Sequence, residues 1–192
     1  MVARCLGILL CTGMSTCSAQ DGSSLGLGLL RGSAAISPGF MVKEQASNFY
    51  LSGKLEYFID PRISLRGESF WFRGSSDEPA LLGQNSQLAF GPFYHFAKGR
   101  SDLAFGFEPG VSFVQPARPI ALINEEPLRV VPNVSLCVGY TFTVWEYFHF
   151  FLDARYVHAS YPGAIGGPIP LDEVIIGGGL GFQMHVSRRP DR

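Results

Sequence analysis

The segment 173–184 alternates between bulky and small side chains. In a β-strand, successive side chains point to opposite faces, so this segment has one bulky face and one nearly bare face. Glycine weakens a strand interior, but it suits the inner face of a narrow barrel, whose bulky face can then meet lipid. The pattern therefore predicts the last strand of a closed barrel. The bulky face carries Val174, Ile176, Leu180, Phe182 and Met184, and the bare face carries Glu173, Gly177, Gly179, Gly181 and Gln183.

The same alternation recurs along the whole chain and predicts an all-β fold of eight antiparallel strands. In the first predicted strand, Leu25, Leu27 and Leu29 would face outward. The second, fourth and sixth strands place apolar residues outward and polar or small residues inward. The predicted strands are 25–32, 49–59, 63–73, 87–96, 102–113, 133–144, 148–158 and 173–184.

The turn Asp60-Pro61-Arg62 fixes the register of the second and third strands, because Pro sets φ and Asp favours the start of a turn. A turn centred on Pro61 pairs Glu56 with Arg66 and Lys54 with Glu68, both of opposite charge. A slip of one residue would move all of these charges to the other face.

Two further features concern how large residues fit inside the barrel. Phe70 and Phe72 would also point inward, and a bulge near the rim is expected to redirect them. The short turn at 98–101 places inward Phe93 opposite Gly106, a large residue against a bare one.

The connections alternate in length, which is typical of outer-membrane barrels with short periplasmic turns and long external loops. Short turns centre on Pro61, Gly99 and Glu146, and the long connections are 33–48, 74–86, 115–132 and 159–172. The chain thus resembles the small eight-stranded outer-membrane β-barrel proteins of Gram-negative bacteria. The run GGGLGF at 177–182 is similar to the barrel-assembly signal, although the chain continues into a polar tail. The resemblance implies an integral outer-membrane location, contact with outer-membrane lipid, insertion by the barrel-assembly machinery and a monomeric state.

The first twenty residues read as a secretory signal. Arg4 precedes an apolar core, and small residues end at Ala19, where cleavage is expected. The predicted organisation is a signal peptide at 1–19, a barrel domain at 20–186 and a polar tail at 187–192. Cys137 is the one cysteine after the signal, so neither a disulfide framework nor a thiolate metal site is expected.

Composition narrows the class of function. The formal net charge of −1 gives no case for nucleic-acid binding. Charged residues make up 16% of the chain, against roughly 25% in a typical soluble domain. After the signal, no apolar run reaches the roughly 18 residues that would predict a transmembrane helix. A low charge content without such a run favours a membrane barrel.

Several charged residues alternate into the predicted lumen. They could line a proton or ion path, or form a structural ion network. The network is favoured, because the interior of an eight-stranded barrel is just wide enough for its own side chains. The protein should then not be a general porin. These residues are Lys54, Glu56, Arg66, Glu68, Glu108, Asp153 and Arg155.

One local motif could carry chemistry. His158-Ala159-Ser160 resembles the His-x-Ser motif of the outer-membrane lipid A deacylases. That resemblance implies His158 as base, Ser160 as nucleophile and Asp172 as orienting acid, but Tyr161 replaces the family's Asn. No phosphate-binding loop or Cys/His metal spacing accompanies it. The sequence therefore predicts a non-enzymatic protein with no cofactor and no metal.

The specific role is expected in the external loops, because loops on a rigid scaffold carry function. The Pro-rich loop 115–132 is the favoured place for an extracellular ligand or partner, and a stiff capping loop is the alternative. Trp145, Tyr147 and Phe148 on one side, and Trp71 on the other, predict two interfacial aromatic girdles, with core packing as the alternative. The alternative architecture is a soluble lipocalin-like ligand-binding barrel with its apolar face inward.

Overall fold

The computed structural model describes residues 25–44, 46–76, 80–117, 127–164 and 167–186. The predicted signal peptide and polar tail lie outside these residues. The described residues form nine β-strands: β1 (Leu29–Met41), β2 (Ser47–Asp60), β3 (Ile63–Ser75), β4 (Leu82–Lys98), β5 (Ser101–Pro116), β6 (Arg129–Thr143), β7 (Phe148–Ala164), β8 (Gly167–Pro170) and β9 (Glu173–His185).

Eight long strands close into one antiparallel barrel. Strands β1 to β7 pair in sequence order, and β9 pairs with both β1 and β7, which closes the sheet. The short strand β8 pairs only with the end of β7, with Ser160 opposite Pro170. Closure leaves no open sheet edge along the barrel wall. The predicted fold is confirmed.

No helix among the described residues is long and apolar enough to cross a membrane.

The register of the first predicted hairpin is also confirmed. Glu56 pairs with Arg66 and Lys54 with Glu68 across β2 and β3. Phe93 lies opposite Gly106 across β4 and β5. A Cβ atom added to Gly106 would overlap the Phe93 ring, so this glycine provides the space that the ring occupies.

The predicted first strand was wrong in its bounds and in its facing. Gly28 adopts a positive φ of 81° in a turn, and β1 begins only at Leu29 and runs to Met41. Positive φ suits glycine and ends the regular alternation at that point. As a result Leu29 is buried in the lumen instead of facing outward, and the next inward residue is Arg31.

The strands extend well into the segments predicted to be long loops. Strand β1 covers most of 33–48, and β7 continues to Ala164. The remaining connections at that end are 42–46, 76–81, 117–128 and 165–172 including β8, against turns of 61–62, 99–100 and 144–147 at the other. We call these the long-loop end and the short-turn end. The asymmetry persists, but the loops are shorter than predicted, because Ser, Pro and Gly residues there still pair in the sheet.

The outer wall of the barrel is apolar. Phe105, Leu136 and Phe150 are 47%, 63% and 54% exposed, although residues of this kind are usually buried in water-soluble domains. The charged residues of β5 and β7 lie in the lumen: Asp102, Glu108, Asp153 and Arg155. This arrangement is the reverse of a lipocalin-like barrel, whose apolar face would line the interior.

Candidate functional site

Arg66 lies at the centre of the ion pairs in the lumen. Its guanidinium is 3.0 Å from Glu56 Oε1 and 3.4 Å from Glu68 Oε1. It also lies 3.9 Å from Asp153 Oδ1, and Lys54 forms an ion pair with the same carboxylate. Strands β2, β3 and β7 position these groups because each presents an inward side chain at the same height of the barrel.

Arg155 carries the adjoining layer of the lumen. Its Nη1 donates to Glu68 Oε2 at 2.9 Å, and its Nη2 lies 3.4 Å from Glu108 Oε2 and 2.6 Å from Ser135 Oγ. Cys137 Sγ donates to the same Glu108 oxygen at 3.2 Å. The structure thus brings all seven charged residues selected from the sequence into one connected group.

A second ion cluster lies toward the short-turn end, and sequence reasoning missed it. Arg31 Nη1 is 2.6 Å from Asp102 Oδ2, and His95 Nδ1 is 3.0 Å from the same oxygen. Ser64 Oγ donates to Glu56 Oε1 at 2.7 Å and lies 2.8 Å from His95 Nε2, which joins the two clusters. His95 and Asp102 lie on the inward faces of β4 and β5, and the wrong facing of the first predicted strand concealed their partner Arg31.

Each of the four lumen cations lies over an aromatic ring. Cation–ring contacts of this kind strengthen when the pair is removed from water. Phe70 is one of these rings, so it remains in the lumen, and the predicted redirection by a bulge was wrong. The pairs are Arg31 with Phe58 at 5.1 Å, Lys54 with Phe151 at 3.9 Å, Arg66 with Phe93 at 3.7 Å and Arg155 with Phe70 at 4.6 Å to the ring centroid.

Glu173 forms a polar layer nearer the long-loop end, which sequence reasoning also missed. Tyr50 Oη donates to its carboxylate at 2.7 Å, and Asn48 Nδ2 at 2.8 Å. Asn85 and Gln87 contribute amide groups at 3.5 and 3.4 Å. Glu173 is fully buried and accepts only from neutral donors among the described residues. The available signal was an acidic residue on the glycine face of the last strand.

Buried apolar side chains fill the lumen above and below these polar layers. At the short-turn end the group comprises Leu25, Leu29 and Phe58. At the long-loop end a larger group includes Met41, Leu82, Val114, Val131, Ala159, Tyr161 and Leu171. Between them, a cavity lined by charged residues such as Lys54 and Arg66 has a volume of about 30 Å³. That is about the volume of one water molecule.

The residues of the possible deacylase motif lie at the long-loop end, on the outside. His158 Nδ1 is 2.6 Å from Asp172 Oδ1, and Lys43 Nζ is 3.2 Å from the other oxygen. Burial opposes ionisation of Asp172, but its bonds with His158 and Lys43 outweigh burial and hold its pKa below the usual value. Ser160 is exposed on the same face, and within the described part of the chain its hydroxyl has no hydrogen-bond partner. The structure therefore joins the base to the acid but not to the nucleophile.

Large aromatic residues stand outside the barrel near both ends. Trp145, Tyr147 and Phe148 are exposed at the short-turn end, and Trp71 is exposed toward the other. Exposure on the outer wall favours girdles over packing in a core.

Across the described ranges, no group of three or more His, Cys, Asp or Glu side chains has the geometry to hold a metal ion.

Neither a protein-family profile nor a curated protein sequence matches the chain. Solved structures do match its fold. The outer membrane protein OprG from Pseudomonas aeruginosa gives a TM-score of 0.59 at 11% identity, covering 86% of this chain and 100% of that chain. The N-terminal β-barrel domain of Pseudomonas aeruginosa OprF gives 0.58 at 10% identity, covering 83% and 99%. Neisserial surface protein A gives 0.55 at 12% identity, covering 82% and 96%. With its closed eight-stranded sheet, apolar exterior and charged lumen, the chain has the fold of the small outer-membrane β-barrel proteins of Gram-negative bacteria.

Proposed function

We propose that the chain is an integral outer-membrane protein without a general pore, which acts through its external end and catalyses no reaction. The filled lumen is the observation that carries this proposal. An ion crossing the barrel would have to displace the apolar groups at both ends and the paired side chains between them. Each of those displacements exposes a buried charge or opens a packed group, which is costly.

The apolar outer wall supports the membrane location. Outward side chains such as Phe105, Leu136 and Phe150 would face water unfavourably, and a bilayer would cover them. The short-turn end then faces the periplasm and the long-loop end faces outward, as in barrels with asymmetric connections. Export by the predicted signal, with cleavage after Ala19, is part of this proposal.

The external end is where a ligand or partner would bind. Strands β3 and β4 flank the connection 76–81, and β5 and β6 flank the connection 117–128. The loop 115–132 is the predicted place of contact with a partner, with a stiff capping loop as the alternative, and its residues 118–126 lie outside those that the structure describes. Pro127 O accepts from Tyr161 Oη at 3.1 Å, which anchors the end of that connection to β7. A monomer inserted by the barrel-assembly machinery, with no nucleic-acid partner, stays a prediction.

Single-channel recording tests the absence of a pore. Protein purified in detergent is first shown to be folded, because its electrophoretic mobility differs between boiled and unboiled samples. It is then added to a planar lipid bilayer. We expect no stable stepwise conductance of the general-porin type. Regular open steps that scale with salt concentration would refute the filled-lumen proposal. A protein that stays soluble and monomeric without detergent would instead refute the membrane location.

A further inference from the structure

A recess opens on the outer side of the short-turn end, between the β2–β3 turn and the end of β4. Its volume is about 460 Å³, and Pro61, Arg62, Tyr94, Phe96 and Lys98 are among the residues that line it. Arg62 O accepts from the backbone N–H of His95 at 2.9 Å, which fixes the turn against β4. The recess is therefore formed jointly by the β2–β3 turn and the adjacent end of β4.

The edge of the recess formed by the short turns is basic. Arg62 and Lys98 are exposed, and Arg100 follows in the same turn as Lys98. Among the described residues, no carboxylate lies within ion-pair distance of any of these three side chains. The nearby Asp60 uses its Oδ1 to accept from the backbone N–H of Arg62 at 3.0 Å. Two basic side chains thus line the recess, a third follows in the adjacent turn, and the nearby Asp60 already accepts a hydrogen bond that holds its own turn.

The edge of the recess formed by β4 is aromatic. The Tyr94 and Phe96 rings are 5.0 Å apart in an edge-to-face arrangement, and the Phe105 ring lies 6.0 Å from Phe96. All three point outward from the barrel wall and are exposed. Aromatic rings favour the boundary between headgroups and hydrocarbon. The recess therefore has both cationic and aromatic lining residues, as an amphipathic ligand would require.

We propose that this recess binds the headgroup of an anionic phospholipid in the periplasmic leaflet, an inference that rests on the membrane location proposed above. Arg62 and Lys98 would hold the phosphodiester, since a guanidinium can bind phosphate oxygens through two parallel hydrogen bonds and an ammonium adds a point charge. The acyl chains would follow Tyr94 and Phe96 toward the membrane interior. Basic residues at a membrane surface attract anionic lipids, which matches the charge of this edge.

Among the residues that the structure describes, the third turn of the short-turn end does not repeat this arrangement. The turn between β6 and β7 presents acidic Glu146 between Trp145 and Tyr147. A uniform belt of interfacial residues would be similar all around the barrel. Within the described ranges, the basic charge of the three short turns is instead concentrated on two neighbouring turns, so we expect one localised lipid site.

Native mass spectrometry of the folded protein released from mixed micelles tests the proposal. The probe is phosphatidylglycerol, compared with the zwitterionic phosphatidylcholine of the same acyl chains. We expect the wild type to retain one phosphatidylglycerol in preference to phosphatidylcholine. The double variant Arg62→Gln/Lys98→Gln should lose this retention by about tenfold or more. The matched control is Arg73→Gln, which removes an exposed cation near the opposite end of β3 and should retain the lipid as the wild type does.

Each outcome decides a separate question. Equal retention of the two lipids, or an unchanged double variant, would overturn the headgroup site. Equal binding of water-soluble glycerophosphoglycerol would show that the aromatic edge contributes nothing, and would overturn the lipid assignment in favour of a free phosphate. Each variant is first checked for changed mobility with and without boiling. A wild type that lacks this shift would refute the membrane barrel itself, a failure distinct from loss of the lipid.

Discussion

Replacing Arg66 by Met is the sharpest test of the lumen network. The substitution keeps an unbranched apolar side chain that can still pack on Phe93, but it removes the charge. Glu56 then loses its 3.0 Å partner and Glu68 loses its 3.4 Å partner, and both carboxylates stay buried. The variant therefore isolates charge compensation from packing.

The expected loss of stability depends on which partners each carboxylate keeps. Removing one partner of a buried ion pair generally costs about 3–5 kcal/mol, because a buried charge is left uncompensated. Glu68 still has Arg155 at 2.9 Å, and Glu56 still accepts from Ser64 at 2.7 Å. Because both acids keep at least one partner, with His95 Nε2 also 3.4 Å from Glu56 Oε1, we expect a loss of about 3 kcal/mol in the free energy of unfolding. Adding Glu56→Gln removes the stranded charge and should recover at least half of that loss.

Urea unfolding of the barrel in phospholipid vesicles, followed by tryptophan fluorescence, measures these differences. Arg73→Met is the matched control, because Arg73 is exposed and should change the free energy of unfolding by no more than about 0.5 kcal/mol. A cost below about 1 kcal/mol for Arg66→Met would refute the reasoning, since a group worth so little behaves like an exposed ion pair. So would a double variant whose cost equals or exceeds that of Arg66→Met alone.

Other substitutions test the wall, the packing and the rim. Phe105→Arg should destabilise the barrel in vesicles by about 2–4 kcal/mol if the ring faces the membrane midplane, and a near-neutral unfolding curve would contradict the lipid-facing wall. Gly106→Val should destabilise by about 1–3 kcal/mol, because its side chain would overlap Phe93, and the double variant with Phe93→Ala should relieve that overlap in the same assay. Incubation with lipid A should release no 3-hydroxy fatty acid; release that is abolished by Ser160→Ala would overturn the non-enzymatic proposal.

Local sequence determined the pairing of β2 and β3. The Pro61 turn sets the offset, and four charges of alternating sign penalise any slip by one residue. Both constraints act within one hairpin, so no knowledge of the remaining barrel is needed. The same holds for Phe93 and Gly106, where a short turn places a large residue beside a bare one.

The error in the first strand has a physical cause. The alternation Leu25, Leu27, Leu29 looks continuous, but the chain turns at Gly28, and the facing of all later residues depends on that turn. What fixes the facing is Arg31, whose partner Asp102 lies seventy-one residues away on β5. A contact of that sequence separation leaves no trace in the periodicity of either strand.

The Glu173 layer was hidden for a related reason. Its donors come from β2 and β4, and Asn48 and Asn85 lie in segments that read as loops because they are polar and close to Ser, Gly or Pro. In a water-soluble domain, polar residues are usually exposed. Inside this barrel, polar residues near a strand end can instead be fully buried. Assigning polar segments to loops therefore shortened the predicted strands, and Asn48 and Asn85 were not recognised as partners of Glu173.

The barrel has an apolar outer face and a polar lumen. The contacts that stabilise it are therefore the same ones that fill its lumen. With the apolar residues on the outside, the lumen is where opposing strand faces can pack against one another, and alternation supplies mostly polar and small groups there. Each cation lies over an aromatic ring and within reach of a carboxylate, as Arg155 lies over Phe70 and beside Glu68, and the ion pairs strengthen where burial lowers the local dielectric constant. Apolar groups pack at both ends of the charged layers. On the proposal that the lumen is closed, opening a conducting path would require removing several of these layers at once, so we expect the barrel to lose the contacts that stabilise it before it conducts.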